Sequence, residues 1–140
     1  MPDPCTYDYA IVRVVPRVER GEFVNVGAIV SSDAKGYLAA RFAIDEARLL
    51  ALDPHVDLNA VRTALAAIAA VCAGGAPAGA IGRLSLRERF HWLVAPRSTM
   101  IQTSAVHTGR CDDLADALDH LLERMVRPPT RRSPRASMPP

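Results

Sequence analysis

Between Leu84 and Gly109 the chain reads LSLRERFHWLVAPRSTMIQTSAVHTG, gathering Arg87, Arg89, His91, Trp92, Arg97, Ser98, Thr99, Gln102, Ser104, His107 and Thr108 in one stretch. A core helix needs few such donors, whereas an anion-binding groove or a polar partner interface needs many. Arg87 and His91 are four residues apart, so on a helix they share a face. Arg97, Ser98 and Thr99 follow just beyond. If the chain folds back, these groups surround one anion, with arginine supplying bidentate donors. The competing reading is a solvated face with ordinary turn chemistry, because surface Arg and His are commonly just exposed. Five arginines (Arg83, Arg87, Arg89, Arg97, Arg110) against one acid, Glu88, keep the anion reading open.

Other groupings point less clearly to chemistry. His107, Cys111 and Asp112 are metal-binding types, but H-x-x-x-C is incomplete and a structural zinc site needs four ligands. No metal or cofactor is therefore assigned. Ser98 or Ser104 with His107 has the types of a nucleophile and base. No G-x-S-x-G elbow is present, and Ser in an extended segment more often satisfies backbone. No catalytic residue is named.

Glu19, Glu22, Asn25 and Asp8 can place polar groups at one end of a sheet, yet acid–base work needs a pair held close. A solvated hairpin connection is the simpler reading. Asn25 is odder, since it lies between Val24 and Val26 and a buried Asn needs partners. It either holds strand geometry or faces a site, so Glu22 and Asn25 form a secondary candidate. The run GGAPAGAIG lacks the Lys-Ser/Thr that completes a phosphate loop and reads as a flexible connection.

The elements that must position these groups follow from periodicity. Tyr7 to Val15, Phe23 to Ser31 and Tyr37 to Phe42 read as strands of an antiparallel meander. The second, FVNVGAIVS, is apolar on both sides of its pleat, and Gly27 within it marks a bulge or a close backbone approach. Asp45 caps a helix to about Leu52. Asp57 caps another, with Leu58, Val61, Leu65, Ile68 and Cys72 on one face, ended by Gly74 and Gly75. Ser85 and Glu88 form a capping box for a helix from Leu86, with Leu86, Phe90 and Leu93 inward. Pro96 ends it. Ser98 to Val106 reads as a fourth strand. Asp112 or Asp113 caps a last helix with Leu114, Leu118, Leu121 and Met125 inward. The expected fold is one α+β domain over residues 1–126, a mostly antiparallel sheet of about four strands packed against helices.

Composition bounds the function. At 140 residues and 49% hydrophobic content the chain supports one core, mainly aliphatic because aromatics are 5%. Abundant Ala and Arg with Lys35 as the one lysine is the bias of a GC-rich bacterial genome. The net charge of +2 is concentrated at the end: Arg127, Arg131, Arg132 and Arg135 lie in residues 127–140, which carry no acid. The body is thus mildly acidic, unlike a duplex-binding domain, and nucleic acid is a weak candidate partner. The Pro/Arg-rich tail is expected to be disordered. Cys5, Cys72 and Cys111 are odd in number and widely spaced, which reads as free thiols in a reducing cytoplasm. No secretory leader pattern is read. The longest apolar stretch, around Leu65 to Ala73, is too short to span a bilayer.

YDYAIVRVVPRVERGEFVNVGAIV (Tyr7–Val30) and RFHWLVAPRSTMIQTSAVHTG (Arg89–Gly109) resemble the bacterial domain of unknown function 3037 family. R-F-x-W-L-x-A-P-R-S-T and V-H-T-G are the more specific pieces, and the resemblance extends over nearly the whole chain to Val126. It brings no established activity. It implies a protein partner, a HipA-like kinase-fold protein, with this chain as its regulator. The expected function is therefore a non-enzymatic interaction protein docking through Arg89–Thr108. The alternative is a binder or enzyme for a phosphorylated ligand, a nucleotide or RNA end, held by Arg87, Arg89 and Arg97 with His91 or His107 as acid or base. The oligomeric state is not legible.

Overall fold

The computed structural model describes residues 5–129. The three apolar runs form the meander: β1 (Cys5–Val14), β2 (Val24–Ser32) and β3 (Tyr37–Phe42), antiparallel in sequence order. The connections between them pair each strand with its neighbour in sequence.

The far edge of β1 departs from the expected single strand over Ser98–Val106. Two short strands, β4 (Ile101–Thr103) and β5 (His107–Cys111), lie end to end along that edge. β4 pairs with Val12–Val14, and β5 with Cys5–Tyr9. Ser104 causes the break. Its N–H donates to the Ile11 carbonyl (2.8 Å), but the Ile11 N–H donates to Ser104 Oγ (2.9 Å) instead of a main-chain oxygen. The hydroxyl in turn donates to the Ala105 carbonyl (2.9 Å). A side chain thus stands in for one rung, and the register shifts by one residue. The Ser104 hydroxyl is engaged on the backbone.

Helices cover both faces of the sheet. On one lie α1 (Glu46–Leu52), α2 (Leu58–Ala73) and α3 (Leu86–Val94). Val12, Val14, Val24, Val26 and Ile29 pack there against Leu49, Val61, Leu65, Phe90 and Leu93. On the other lies α4 (Leu114–Leu121), prolonged by a π turn (Leu122–Val126). Ile11, Ala28 and Val30 meet Leu118, Leu121, Leu122 and Val126 there. Burial on both faces is why β2 is apolar on both sides of its pleat.

The bulge expected near Gly27 is present: the β1–β2 register slips between Val12 and Arg13, opposite Gly27 and Asn25. The slip lets Val24 and Val26 face α1–α3 while Ala28 and Val30 face α4. A Cβ on Gly27 would lie 2.3 Å from Phe42 Cδ1 and 2.7 Å from the Arg41 carbonyl oxygen, so only glycine admits the Phe42 ring.

The capping predictions hold at Asp45, Asp57 and Ser85, whose side chains accept from the N–H of Arg48, Ala60 and Glu88. Of the two candidates for the last helix, Asp113 is the cap. Met125, expected inward, is 44% exposed; Leu122 and Val126 are buried instead. The π turn adds a residue per turn and rotates the apolar stripe past Met125. The predicted tail lies outside the described residues from position 130 onward. Among the described residues, no helix is long and apolar enough to cross a membrane.

Candidate functional site

The sheet divides the polar stretch between its two faces. Arg87, Arg89, His91 and Trp92 ride on α3, whose Phe90 and Leu93 point into the core. The four exposed carbonyls at a helix end need donors, and two arginines supply them. Arg89 Nη1 donates to the Val71 and Cys72 carbonyls at the end of α2 (2.8 Å each), and its Nε donates to the Leu84 carbonyl (3.2 Å). Arg97 repeats the arrangement at the end of α3. It donates to the Leu93 (2.9 Å) and Trp92 (2.6 Å) carbonyls, and its guanidinium lies 4.5 Å from the centre of the Trp92 ring.

Thr99 Oγ1 donates to the Ile101 carbonyl (2.9 Å) and Gln102 Nε2 to the Thr99 carbonyl (3.0 Å), which fixes the turn into β4. Arg87, His91 and Ser98 are exposed, with no side-chain partner among the described residues. Of the three arginines considered for a phosphate, two therefore hold helix ends and only Arg87 is free.

What this region presents is an apolar groove. Trp92 is 42% exposed, although Phe90 and Leu93 of the same helix are buried. Trp92 and Arg97 form one wall of a hollow of about 190 Å³; Ala64, Ala67 and Ile68 of α2 form the other, with Ile101 at its end. Ala64, Ala67 and Ile68 share a helix face at i, i+3 and i+4. The two alanines keep the hollow open where larger side chains would fill it. Sequence reasoning named Ile68 as core and passed over the alanines, because an alanine-rich helix carries no polar signal.

His107 and Thr108 belong to β5, where His107 pairs with Tyr9 on the opposite face and Thr108 alternates away from it opposite Asp8. The His107 ring lies 5.5 Å from Tyr9, and Tyr9 lies 5.8 Å from Tyr7. Thr108 Oγ1 donates to Asp8 Oδ1 (2.9 Å) across the ladder. Tyr7 and Tyr9 with Arg110, His120 and Arg124 line a groove of about 460 Å³ between β5 and α4. Tyr7 lies flat on Gly109, where a Cβ would come within 2.6 Å of its ring. Burial, with Cys111, Tyr9 and Cys5 nearby, holds the Tyr7 phenol above its ordinary range, so it stays a neutral donor. Among the described residues, Arg110, His120 and Arg124 have no carboxylate partner, and no carboxylate lines this groove. Asp112, Asp113 and Asp116 line the adjoining hollow. His120 and Arg124 were missed from sequence. The signal was their i,i+4 spacing on the polar face of α4, opposite alternating Tyr7 and Tyr9.

The secondary candidates separate. Glu22 pairs with Arg20 in the hairpin connection, and that bonded guanidinium holds its carboxyl below the usual range. Asn25 is structural: its Nδ2 donates to the Met125 carbonyl (3.0 Å), tying β2 to the π turn. Its buried Oδ1 has no partner among the described residues. Among those residues, no three His, Cys, Asp or Glu side chains gather as metal ligands.

No curated protein and no solved structure matches this chain. The family model described as Protein of unknown function (DUF3037) matches residues 9–126, from β1 through the π turn and across both grooves, and the chain belongs to that family.

Proposed function

We propose that this chain is a non-enzymatic interaction protein of the bacterial cytoplasm. Its α2–α3 groove docks a protein segment that presents an apolar anchor flanked by acidic residues. The observation that carries this reading is Trp92, held beside an apolar hollow with Arg97 laid on its ring and fixed by two carbonyl bonds. A rigid aromatic loses little freedom on binding, and Trp and Arg are typical anchors of interfaces. Arg97 lines the hollow, and the exposed surface of α3 carries Arg87 and His91 against Glu88, which favours an acidic partner. The resemblance to the family makes a HipA-like kinase-fold protein the first partner to test. A tagged pull-down from the native host, comparing wild type with Trp92→Ala and Ala67→Arg, checks this. One stoichiometric partner, lost in both variants, is the expected result. Retention of that partner by both variants rejects the groove.

A second reading has its own observation. Arg110, His120 and Arg124 line the α4 groove together with the two tyrosines, with no carboxylate among its lining residues. A phosphorylated ligand with an aromatic base fits that chemistry better than it fits the α3 region, where Arg89 and Arg97 are engaged. A thermal shift with AMP that Arg124→Ala abolishes supports it; no shift at millimolar AMP rejects it.

A further inference from the structure

Cys5 opens β1 and Cys111 closes β5, and the two are direct partners in the antiparallel ladder. Direct partners have Cα atoms roughly 4.5–5.5 Å apart, inside the roughly 4.4–6.8 Å range that a disulfide spans. Their side chains share a face of the sheet. The two Sγ atoms are 3.4 Å apart, and Cys5 Sγ also approaches the Cys111 carbonyl oxygen at 3.5 Å. A disulfide sets its sulfurs about 2.04 Å apart. The remaining gap is within reach of rotation of the two short side chains.

We propose that Cys5 and Cys111 are a redox modification site, closing to a cross-strand disulfide that clasps the start of β1 to the β5–α4 junction. The oxidant class is a low-molecular-weight disulfide of the glutathione type. One cysteine thiolate attacks the oxidant's S–S bond, forming a mixed disulfide and expelling one thiolate. The second cysteine thiolate attacks the protein-side sulfur and expels the other. Two protein thiols become one disulfide, and one small disulfide becomes two thiols; two electrons pass to the oxidant and the two protons end on the expelled thiolates.

The surroundings set the rate and the consequence. Burial and the neighbouring Cys5 push the Cys111 thiol up to about 11. It therefore stays protonated near neutrality, and closure quickens as pH rises. The clasp joins residues 106 apart in sequence, so it constrains nearly the whole unfolded chain. It also immobilises one wall of the α4 groove, because Tyr7 and Arg110 lie beside the two cysteines. Cys72 is the internal control: it is buried near the end of α2, and burial pushes its thiol up to about 12.

The test incubates the folded chain with oxidised glutathione and reads intact mass, a non-reducing peptide map and Tm. The expected result is loss of two hydrogens, a peptide linking Cys5 to Cys111, Cys72 still free, and a Tm higher by roughly 5–15 °C. Cys72→Ala gives the same link, while Cys5→Ser and Cys111→Ser each stop at a single glutathione adduct. Two stable adducts without a link overturn the proposal. So does a link through Cys72, or a link that forms only in urea.

Discussion

Arg89 and Arg97 on one side of the sheet, and Arg110 and Arg124 on the other, are the same side chain in two kinds of place. On the α1–α3 face the chain turns sharply at the ends of α2 and α3, leaving carbonyls without helical partners. The nearest guanidinium settles there. On the α4 face, Asp113 caps the start of the helix and a π turn closes its end. No carbonyls compete for Arg110 or Arg124 in the same way, and those charges face a groove. A count of cations therefore says little about a site until the helix ends have been satisfied. The first face offers a rigid aromatic beside an apolar hollow, and the second offers free charge beside two tyrosines.

That contrast can be broken by substitution. Arg89→Ala removes three bonds to carbonyls and is expected to cost about 2–3 kcal/mol in urea denaturation. Arg97→Ala removes two bonds and the Trp92 stacking, with an expected cost of about 1–2 kcal/mol. Losses below about 0.5 kcal/mol at both positions would show that these arginines do not hold the helix ends.

Alkali probes the same face. Cys72 is raised to about 12 in the folded chain, so the folded state keeps its proton where the unfolded chain has released it. The stabilising contribution is complete below about pH 8.5, the unfolded value. It is lost as pH rises toward the folded one, at up to about 1.4 kcal/mol per pH unit. Cys72→Ala should flatten that slope, and an unchanged slope assigns the alkaline loss elsewhere. The smallest effects belong to the free cations: Arg87→Ala and Arg124→Ala are each expected within about 0.5 kcal/mol of wild type in stability.

Much of the fold was legible because its signals are local. Asp45, Asp57 and Ser85 announce helix starts through a bond reaching three residues ahead, and Gly27 announced its bulge. The two-sided apolar pattern of β2 is matched by burial on both faces. β5 was not legible. HTGRC has neither alternation nor β-branched bulk beyond Thr108, and it is a strand only because β1, about a hundred residues earlier, offers an open edge. The groove at Trp92 was half legible. Trp92 and Arg97 stood out as types, but the fates of Arg89 and Arg97 depend on where α2 and α3 end relative to each other. The pairing of Cys5 with Cys111 was hidden by the same distance that makes it consequential.

The most direct test of the proposed docking is calorimetric titration of a purified HipA-like kinase-fold protein, the proposed partner, into wild type, Trp92→Ala and Arg124→Ala. The α2–α3 groove as the docking site requires binding that Trp92→Ala weakens at least about tenfold and Arg124→Ala leaves unchanged. Binding that is insensitive to Trp92→Ala but lost in Arg124→Ala would place the interface on the α4 face and contradict it.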